Sequence, residues 1–210
     1  MNMLTETESF VSELLTNKIP YEYSYHNIDH TKEVVSAVQI IGKSCNLCTE
    51  DIYTLILAAW FHDAGYIHTY HKHEEASKKI ASTYLKIKNF DKAFIKRVML
   101  YIGYTNIKLT PFDKLSGILR DADLYNLSQK DFLKKALMLK YEWNSVLKRN
   151  YQQNTFWENT FHFMNKHKYY SDYGQGVLTK GKIANLALLY NILSEGQINH
   201  IEKQLLYQNI

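Results

Sequence analysis

Apolar residues recur along most of the chain at intervals of three and four, the spacing that places them on one face of an α-helix. Helix start and stop signals divide this pattern into separate elements. The pattern predicts helices over residues 4–15, 30–43, 49–65, 74–87, 91–101, 111 to past 123, 128–149, 155–163 and 182–193, followed by a short amphipathic piece. We therefore predict an all-α fold.

Several residues indicate where these helices begin and where the chain turns. Thr49, followed by two acids, is typical of an N-cap, and Pro111 suits a first helical position. Ser128 and Asp131 form a pair that resembles a capping box at the start of a long helix. The segment 174–181, which begins and ends with glycine, is predicted to be a loop.

The composition supports long helices within one compact unit. The 210 residues include only two prolines and eight glycines, so a sheet protein with many turns is harder to build from them. The length is enough for a substantial core, and no break in composition requires a second domain. We predict a single domain.

Charge and hydropathy exclude some classes of partner. A net charge of +4 is too small to indicate a nucleic-acid-binding surface. The N-terminus is acidic where a signal peptide is basic and then apolar, and the longest apolar run, Leu55 to Phe61, is far too short to span a bilayer. We expect a cytoplasmic protein with no membrane partner, in which Cys45 and Cys48 are free thiols.

Basic residues are concentrated in the second half of the chain. This surplus has two interpretations, a solvated helix face or a set of charges that steers an anionic substrate, and the sequence leaves both open. The residues concerned are Lys130, Lys134, Lys135, Lys140, Lys148, Arg149, Lys166, Lys168, Lys180 and Lys182.

Histidines cluster in the first third of the chain. Six of the nine lie between positions 26 and 73, and His62 and Asp63 directly follow the most apolar turns of the third predicted helix. Burial of an unpaired carboxylate costs several kcal/mol, so Asp63 needs a cation, and an adjacent imidazole is typical of a metal site. A hydrogen-bonded His-Asp pair near a helix end is the alternative.

Two further side chains are expected to point into the core. His30 is in register with Val34 and Ile41 on the apolar face of the second helix. Asp123 follows Leu119 by four residues on the sixth helix, whereas Asp121 lies roughly 200° away around that helix. We therefore predict that Asp123 is the inward acid of the pair.

Three segments resemble a known family when they are taken together. YHNIDHT (Tyr25 to Thr31), WFHDAGY (Trp60 to Tyr66) and LRDADLYNL (Leu119 to Leu127) are similar in order and spacing to the H…HD…D signature of HD-domain phosphohydrolases. The resemblance covers about residues 25–127, which would form the core of a multi-helix bundle, with residues 128–210 as a C-terminal helical extension. Three later segments resemble the tail of predicted HD phosphohydrolases of unknown role. They are EW (142–143), FW (156–157) and HKYY (167–170).

The resemblance implies a metal centre with ligands His30, His62, Asp63 and Asp123. Such a mixture of nitrogen and oxygen ligands suits Mn, Fe, Co, Ni or Zn, and Mg less well. His73 matches a position where some family members have a histidine for a second metal, but the fifth helix has Tyr104 and Thr105 where these members have a further histidine. We therefore predict one tightly bound metal.

Other residues are candidates for catalysis or for substrate binding. Asp63 is expected to orient or deprotonate a nucleophilic water. The further catalytic candidates are His73 and Glu74, although Glu74 could simply cap its helix. The candidates for contacts with the substrate are His26, Asn27, Arg120, Lys166, His167 and Lys182.

The sequence thus predicts a phosphohydrolase, a phosphomonoesterase or phosphodiesterase, that acts on a phosphorylated small molecule resembling a nucleotide. Tyrosine is abundant, with 17 residues, and some of these rings could stack on a base. A cyclic-nucleotide phosphodiesterase and a catalytically weak module that senses nucleotides are the alternatives. The sequence also leaves a homo-oligomer open.

Overall fold

The computed structural model of the chain describes residues 3–149, 151 and 154–207. The described residues form helices and no strand, which confirms the predicted all-α fold. The helices are α1 (Met3–Lys18), α2 (Ile28–Ser44), α3 (Thr49–Phe61), α4 (His73–Ile87), α5 (Lys92–Gly103), α6 (Lys114–Asp123), α7 (Phe132–Leu147), α8 (Thr155–Lys166), α9 (Thr179–Ser194) and α10 (Ile198–Tyr207). None of these helices has both the length and the apolar character that a membrane crossing requires.

The described residues group into two compact units. The first comprises the described parts of Met1–Tyr21, His26–Leu124 and Tyr170–Gly174, and the second those of Glu22–Tyr25, Tyr125–Tyr169 and Gln175–Ile210. The main boundary along the chain, after Leu124, lies close to the predicted end of the core at about residue 127. The assignment of the whole chain to one domain stays a prediction.

The first unit is built around α3. Every residue of α3 from Thr54 to Phe61 is buried, and the helix contacts α1, α2, α4, α5 and α6. A helix that is apolar all round can be stable only with neighbours on every side, which is why this segment has a run of apolar residues and not a single stripe. The residues that follow the C-terminal end of α3, beginning with His62, therefore lie in the interior of the unit.

The second unit contains α7 to α10, held together in part by buried polar contacts. The Glu202 carboxylate of α10 accepts hydrogen bonds from Lys140 Nζ and Trp157 Nε1, both at 2.5 Å. The buried Glu142 of α7 accepts the backbone N–H of Tyr25 at 2.8 Å. The buried Glu142 and the partly buried Glu202 thus each have a donor, which avoids the cost of an unpaired charge in the interior.

Two of the predicted helix starts are wrong. Pro111 precedes α6 and does not begin it: the helix starts at Lys114 with Asp113 as N-cap, and Asp113 forms a capping box with Ser116. Ser128 ends a short 3₁₀ turn that starts at Tyr125, and α7 begins at Phe132 after an Asp131 whose side chain makes no capping bond.

The predicted loop at residues 174–181 is also wrong. Residues Gly174–Leu178 form a turn of π-helix that continues directly into α9. Gly181 lies inside α9, where a Cβ atom would come within 2.3 Å of the Ser128 carbonyl oxygen. This glycine allows two segments of backbone to approach closely, so its presence does not indicate a turn.

Candidate metal centre

His30 is oriented by the first turn of α2. The side chain of Asn27 caps the helix by accepting hydrogen bonds from the backbone N–H groups of Asp29 at 2.9 Å and His30 at 3.2 Å. His30 shares the buried face of α2 with Val34 and Ile41, and its side chain is buried. The predicted inward orientation of His30 is confirmed. Asn27, a predicted substrate contact, is the N-cap of this helix.

His62 and Asp63 follow directly on the buried end of α3. The α-helix ends at Phe61, short of the predicted end at Gly65, and a 3₁₀ turn covers Ala64–Ile67. The Nδ1 atom of His62 lies 2.7 Å from the Ala59 carbonyl oxygen and therefore donates its hydrogen to that oxygen. In the neutral imidazole, Nε2 then carries a lone pair, the arrangement that a metal-ligating histidine needs.

Ser77 holds the turn that carries the His-Asp pair, and sequence analysis missed it. Its hydroxyl group donates to the His62 carbonyl oxygen at 2.6 Å and accepts from the Gly65 N–H at 2.8 Å. A Cβ atom on Gly65 would lie 2.0 Å from the His73 carbonyl oxygen, so only glycine fits there. The signal was available, because Ser77 is a polar residue four positions before the buried Ala81 on the same helix face.

The four predicted ligands converge at one place in the first unit. Nε2 of His30 lies 3.5 Å from Oδ2 of Asp63 and 3.3 Å from Oδ1 of Asp123. Nε2 of His62 lies 3.1 Å from Oδ2 of Asp63 and 3.5 Å from Oδ1 of Asp123. Ligand atoms of His30, His62 and Asp123 lie within 4.8 Å of one another, which is compatible with one shared cation.

The donor atoms of this cluster fit a divalent cation. Nε2 of His62 and Oδ2 of Asp63 are both buried, and neither has a hydrogen-bond partner. A lone pair on nitrogen that faces a carboxylate oxygen at 3.1 Å is repulsive unless positive charge lies between them. A divalent ion, with two imidazole nitrogens and two carboxylates as ligands, provides that charge.

Electrostatics in the metal-free cluster point to the same need for positive charge. Burial opposes the charged form of His62, yet the carboxylates of Asp63 and Asp123 raise its pKa well above the ordinary value. Burial also opposes ionisation of Asp63, but His62 and His73 hold the pKa of Asp63 well below its usual range. The site therefore favours ionised carboxylates with a cation among them, either a proton on His62 or a metal ion.

Two more histidines, His26 and His73, lie near this cluster, and the rings of both pack against Tyr66. The ring of His73 stacks on that of Tyr66 with centroids 4.0 Å apart, and its Nε2 lies 3.4 Å from Oδ1 of Asp63. The ring of His26 lies 4.6 Å from that of Tyr66. Tyr66, which sequence analysis missed, thus lies between the two imidazoles and fixes their positions. Glu74 is buried next to His73, with Oε2 3.9 Å from Nδ1 of that histidine.

The prediction that Asp123, and not Asp121, is the inward acid of the DAD segment is wrong for Asp121. Asp121 is fully buried, and it accepts hydrogen bonds from Tyr170 and Ser171. The whole of α6 from Ser116 to Ala122 is buried, so this helix has no single apolar stripe from which a register could be inferred. The side chain of Asp123 is 20% exposed and reaches His30 and His62.

Arg120, a predicted substrate contact, binds backbone carbonyl groups in the structure. Its side chain is buried, and its Nη2 atom donates to the backbone carbonyl oxygens of Tyr104, Asn106 and Leu109. A guanidinium that is committed to three carbonyl groups holds the segment between α5 and α6 in place. A role of Arg120 in substrate binding stays a prediction.

Three predicted phosphate contacts belong to the second unit. The amine of Lys182 is largely buried and donates to the carbonyl oxygens of Met164 and His167, and Lys166 lies at the end of α8. The roles of Lys166, His167 and Lys182 in substrate binding stay predictions. Cys45 and Cys48 are free thiols, as expected.

Comparisons with known proteins agree with this site. Residues 27–126, the segment that contains all four predicted ligands, match the HD domain family. A crystal structure of a structural-genomics target from Lactobacillus plantarum resembles this chain with a TM-score of 0.66 at 14% identity, over 92% of this chain and 96% of that one. At an identity this low, the structural similarity shows a shared fold alone. A search of curated proteins found no match.

The family match and the geometry address the same residues independently. The match rests on sequence over residues 27–126, and the structure brings His30, His62, Asp63 and Asp123 of that segment together in one buried cluster. Residues 27–126 are thus an HD domain, of a superfamily whose members are in general metal-dependent phosphohydrolases.

Proposed function

We propose that this protein is a metal-dependent phosphohydrolase that cleaves a phosphate ester of a nucleotide-like small molecule. The observation that carries the proposal is the buried cluster of two imidazoles and two carboxylates, in which Nε2 of His62 and Oδ2 of Asp63 lack hydrogen-bond partners. Such atoms are costly to bury unless a cation binds them. His30, His62, Asp63 and Asp123 would hold one divalent ion.

The ligand set determines which metals suit the site. Mixed nitrogen and oxygen ligands favour Mn, Fe, Co, Ni or Zn over Ca, which prefers a larger shell of oxygen atoms alone. When bound, the metal supplies a lowered pKa for water and neutralisation of the charge on the phosphoryl group. A second metal lacks support, since the Thr105 hydroxyl donates to the Ile102 carbonyl oxygen and no imidazole is present at that position.

Asp63 is placed to orient the attacking water more than to deprotonate it. A carboxylate whose pKa is held well below its usual range is a weak base, but it is a constant acceptor of hydrogen bonds. Its Oδ1 atom faces His73 while Oδ2 faces His30 and His62. The carboxylate can therefore contact the metal on one side and hold a hydrogen-bonded group on the other.

His73 and His26 are the side chains of the first unit that we assign to the substrate. Both rings pack against Tyr66, and the proximity of both to Asp63 lowers the pKa of that carboxyl. Imidazoles next to a metal centre can donate hydrogen bonds to phosphate oxygens. The partly exposed ring of Tyr70, 5.1 Å from that of Tyr66, offers an aromatic surface that suits a base.

The test is a substrate panel with the metal-loaded protein. We expect release of phosphate or of a nucleotide product from some nucleoside monophosphates, cyclic nucleotides or nucleoside diphosphates in the presence of Mn²⁺ or Co²⁺. Identification of both products distinguishes a phosphomonoesterase from a phosphodiesterase. Saturable binding of a nucleotide without any product in the whole panel would instead favour the sensor module and contradict the proposed activity.

His73→Ala is expected to reduce turnover far more than metal content. Nε2 of His73 lies 3.4 Å from Oδ1 of Asp63, whereas His30 and His62 face Oδ2 of that carboxylate. Loss of one hydrogen-bonding imidazole next to the phosphoryl group should lower kcat by about 10²-fold. The measurements are steady-state kinetics and metal analysis of the same preparation.

The exposed His71 provides the matched control, since His71→Ala removes an imidazole two residues away and should change neither quantity. Two metal equivalents in the wild-type protein, with one lost in His73→Ala, would show that His73 is a ligand of a second ion and would overturn the assignment of a single metal.

A further inference from the structure

A short segment from far along the chain is part of the metal-binding unit. Residues Tyr170–Gly174, which we call the strap, belong to the first unit although they lie well beyond the matched residues 27–126. The strap is bound to α6, the helix that carries the predicted ligand Asp123. Its attachment involves a buried acid, Asp121, that has no role in the proposed chemistry.

Asp121 binds the strap with both carboxylate oxygens. The backbone N–H of Tyr170 donates to Oδ1 at 2.9 Å and to Oδ2 at 3.1 Å. The backbone N–H and the hydroxyl group of Ser171 donate to Oδ2 at 2.7 and 2.6 Å. The Ser171 hydroxyl also accepts the N–H of Gly174 at 2.9 Å, so the strap is closed on itself at the same point.

Detachment of the strap would be costly because Asp121 is fully buried. Without the Tyr170 and Ser171 donors, its carboxylate would lose all the hydrogen bonds described above while it stayed inside the unit. A buried carboxylate without donors costs several kcal/mol. The strap and the C-terminal half of α6 should therefore stay together as one rigid piece.

Gly117 provides a second contact between α6 and the strap. A Cβ atom at this position would lie 2.9 Å from Cβ of Tyr170, so the strap lies directly on the helix one turn before Asp121. Arg120 binds the carbonyl groups of the segment between α5 and α6. The last turns of α6 are thus held by both the strap and this segment, immediately before Asp123.

We propose that Asp121 is a positioning residue, which fixes α6 to the strap and thereby places the Asp123 carboxylate beside His30 and His62. The inference rests on the proposed metal-binding function, since it assigns the strap a role in the ligand geometry. In the structure, Oδ1 of Asp123 lies 3.3 Å from Nε2 of His30 and 3.5 Å from Nε2 of His62. Small displacements of the end of α6 would change both distances.

The experiment loosens the strap in three chemically different ways in the full chain. Asp121→Asn removes the charged acceptor, and Ser171→Ala removes one donor and keeps the charge. Gly117→Ala places a methyl group against Cβ of Tyr170 and so pushes that residue away without a change in any polar group. Gly176→Ala is the matched control, because a Cβ atom there would meet no atom within 4 Å.

The probe is Co²⁺, whose visible absorption reports the geometry of its ligands. We expect each of the three variants to shift the Co²⁺ spectrum and to weaken Co²⁺ binding about 10- to 100-fold, as loss of a group that orients a ligand does. Hydrogen exchange at the amides of Tyr170 and Ser171 should accelerate in the same variants. Gly176→Ala should match the wild-type protein in all three measurements.

Ser171→Ala and Gly117→Ala decide the question, since both leave the carboxylate of Asp121 intact. If exchange in the strap accelerates in these variants while the Co²⁺ spectrum and affinity stay at wild-type values, the strap contributes only stability and the inference is wrong. Exchange that stays slow in all three variants would contradict attachment through Asp121. A wild-type protein that fails to bind Co²⁺ would overturn the proposed function itself and this inference with it.

Discussion

His62→Ala is expected to empty the metal centre and to lower kcat/KM by about 10³-fold or more, because it removes a ligand whose lone pair has no other partner. Nδ1 of His62 is fixed on the Ala59 carbonyl oxygen at 2.7 Å, so Nε2 has a single orientation, toward Asp63 and Asp123. Metal analysis and steady-state kinetics on one preparation test this expectation.

The control for this variant is His68→Ala. His68 is exposed at the end of the 3₁₀ turn that follows the His-Asp pair, so its removal takes away an imidazole from the same region but not from the cluster. It should retain wild-type metal content and activity. Retention of a full metal equivalent by His62→Ala would show that the ion is bound elsewhere, and the ligand assignment would then be wrong.

The metal ligands could be predicted from sequence because each is a polar residue where an apolar one is expected. His30 is in register with Val34 and Ile41, and His62 and Asp63 follow eight consecutive buried residues of α3. A polar group at such a position needs a partner, and the need is visible without coordinates. The family resemblance added which of these groups share one ion.

The role of Asp121 could not be predicted in this way. The inference from helix periodicity assumed that one side of α6 faces the core, but all sides of the helix are buried from Ser116 to Ala122. Asp121 can be buried because Tyr170 and Ser171, about fifty residues later in the chain, donate hydrogen bonds to its carboxylate. Long-range pairing of this kind leaves no local signal.

The contacts of Arg120 could not be predicted either, for a related reason. An arginine next to two acids suggests phosphate binding, but the sequence does not show that backbone carbonyl groups of Tyr104, Asn106 and Leu109 would surround the guanidinium. Carbonyl groups in an irregular segment need hydrogen-bond donors, and a guanidinium group can supply them just as it can bind a phosphate. The wrong boundaries at Pro111 and Ser128 have a simpler cause, since short capping motifs occur by chance near true helix ends.

Removal of the metal by a chelator is expected to abolish hydrolysis and to destabilise the protein most at alkaline pH. Mn²⁺ or Co²⁺ should restore activity better than Ca²⁺, given the mixture of imidazole and carboxylate ligands. The pH dependence follows from the balance of charge in the cluster. In the metal-free protein the charge opposite Asp63 and Asp123 is a proton on His62, whose pKa those carboxylates raise against the effect of burial.

The sign of the effect is set by these shifts. Because the pKa of His62 is higher in the folded than in the unfolded protein, its stabilising contribution is complete below about pH 6.5 and is lost as the pH rises through the folded-state pKa. The pKa values of Asp63 and Asp123 are lowered, so their contributions are present above about pH 4 and are lost in acid. The metal-free protein should therefore be most stable in mild acid.

A bound metal replaces the proton on His62 and does not leave as the pH rises, so the metal-loaded protein should keep its stability into the alkaline range. The difference in Tm between the metal-loaded and metal-free protein should then widen from about pH 6 to about pH 9, with about 2.7 kcal/mol of stabilisation at a metal concentration of about 100 Kd. Thermal unfolding across this range, with His62→Ala as the variant that should show no metal-dependent difference, measures it. A difference that narrows toward alkaline pH would mean that His62 is not the residue at which metal and proton compete.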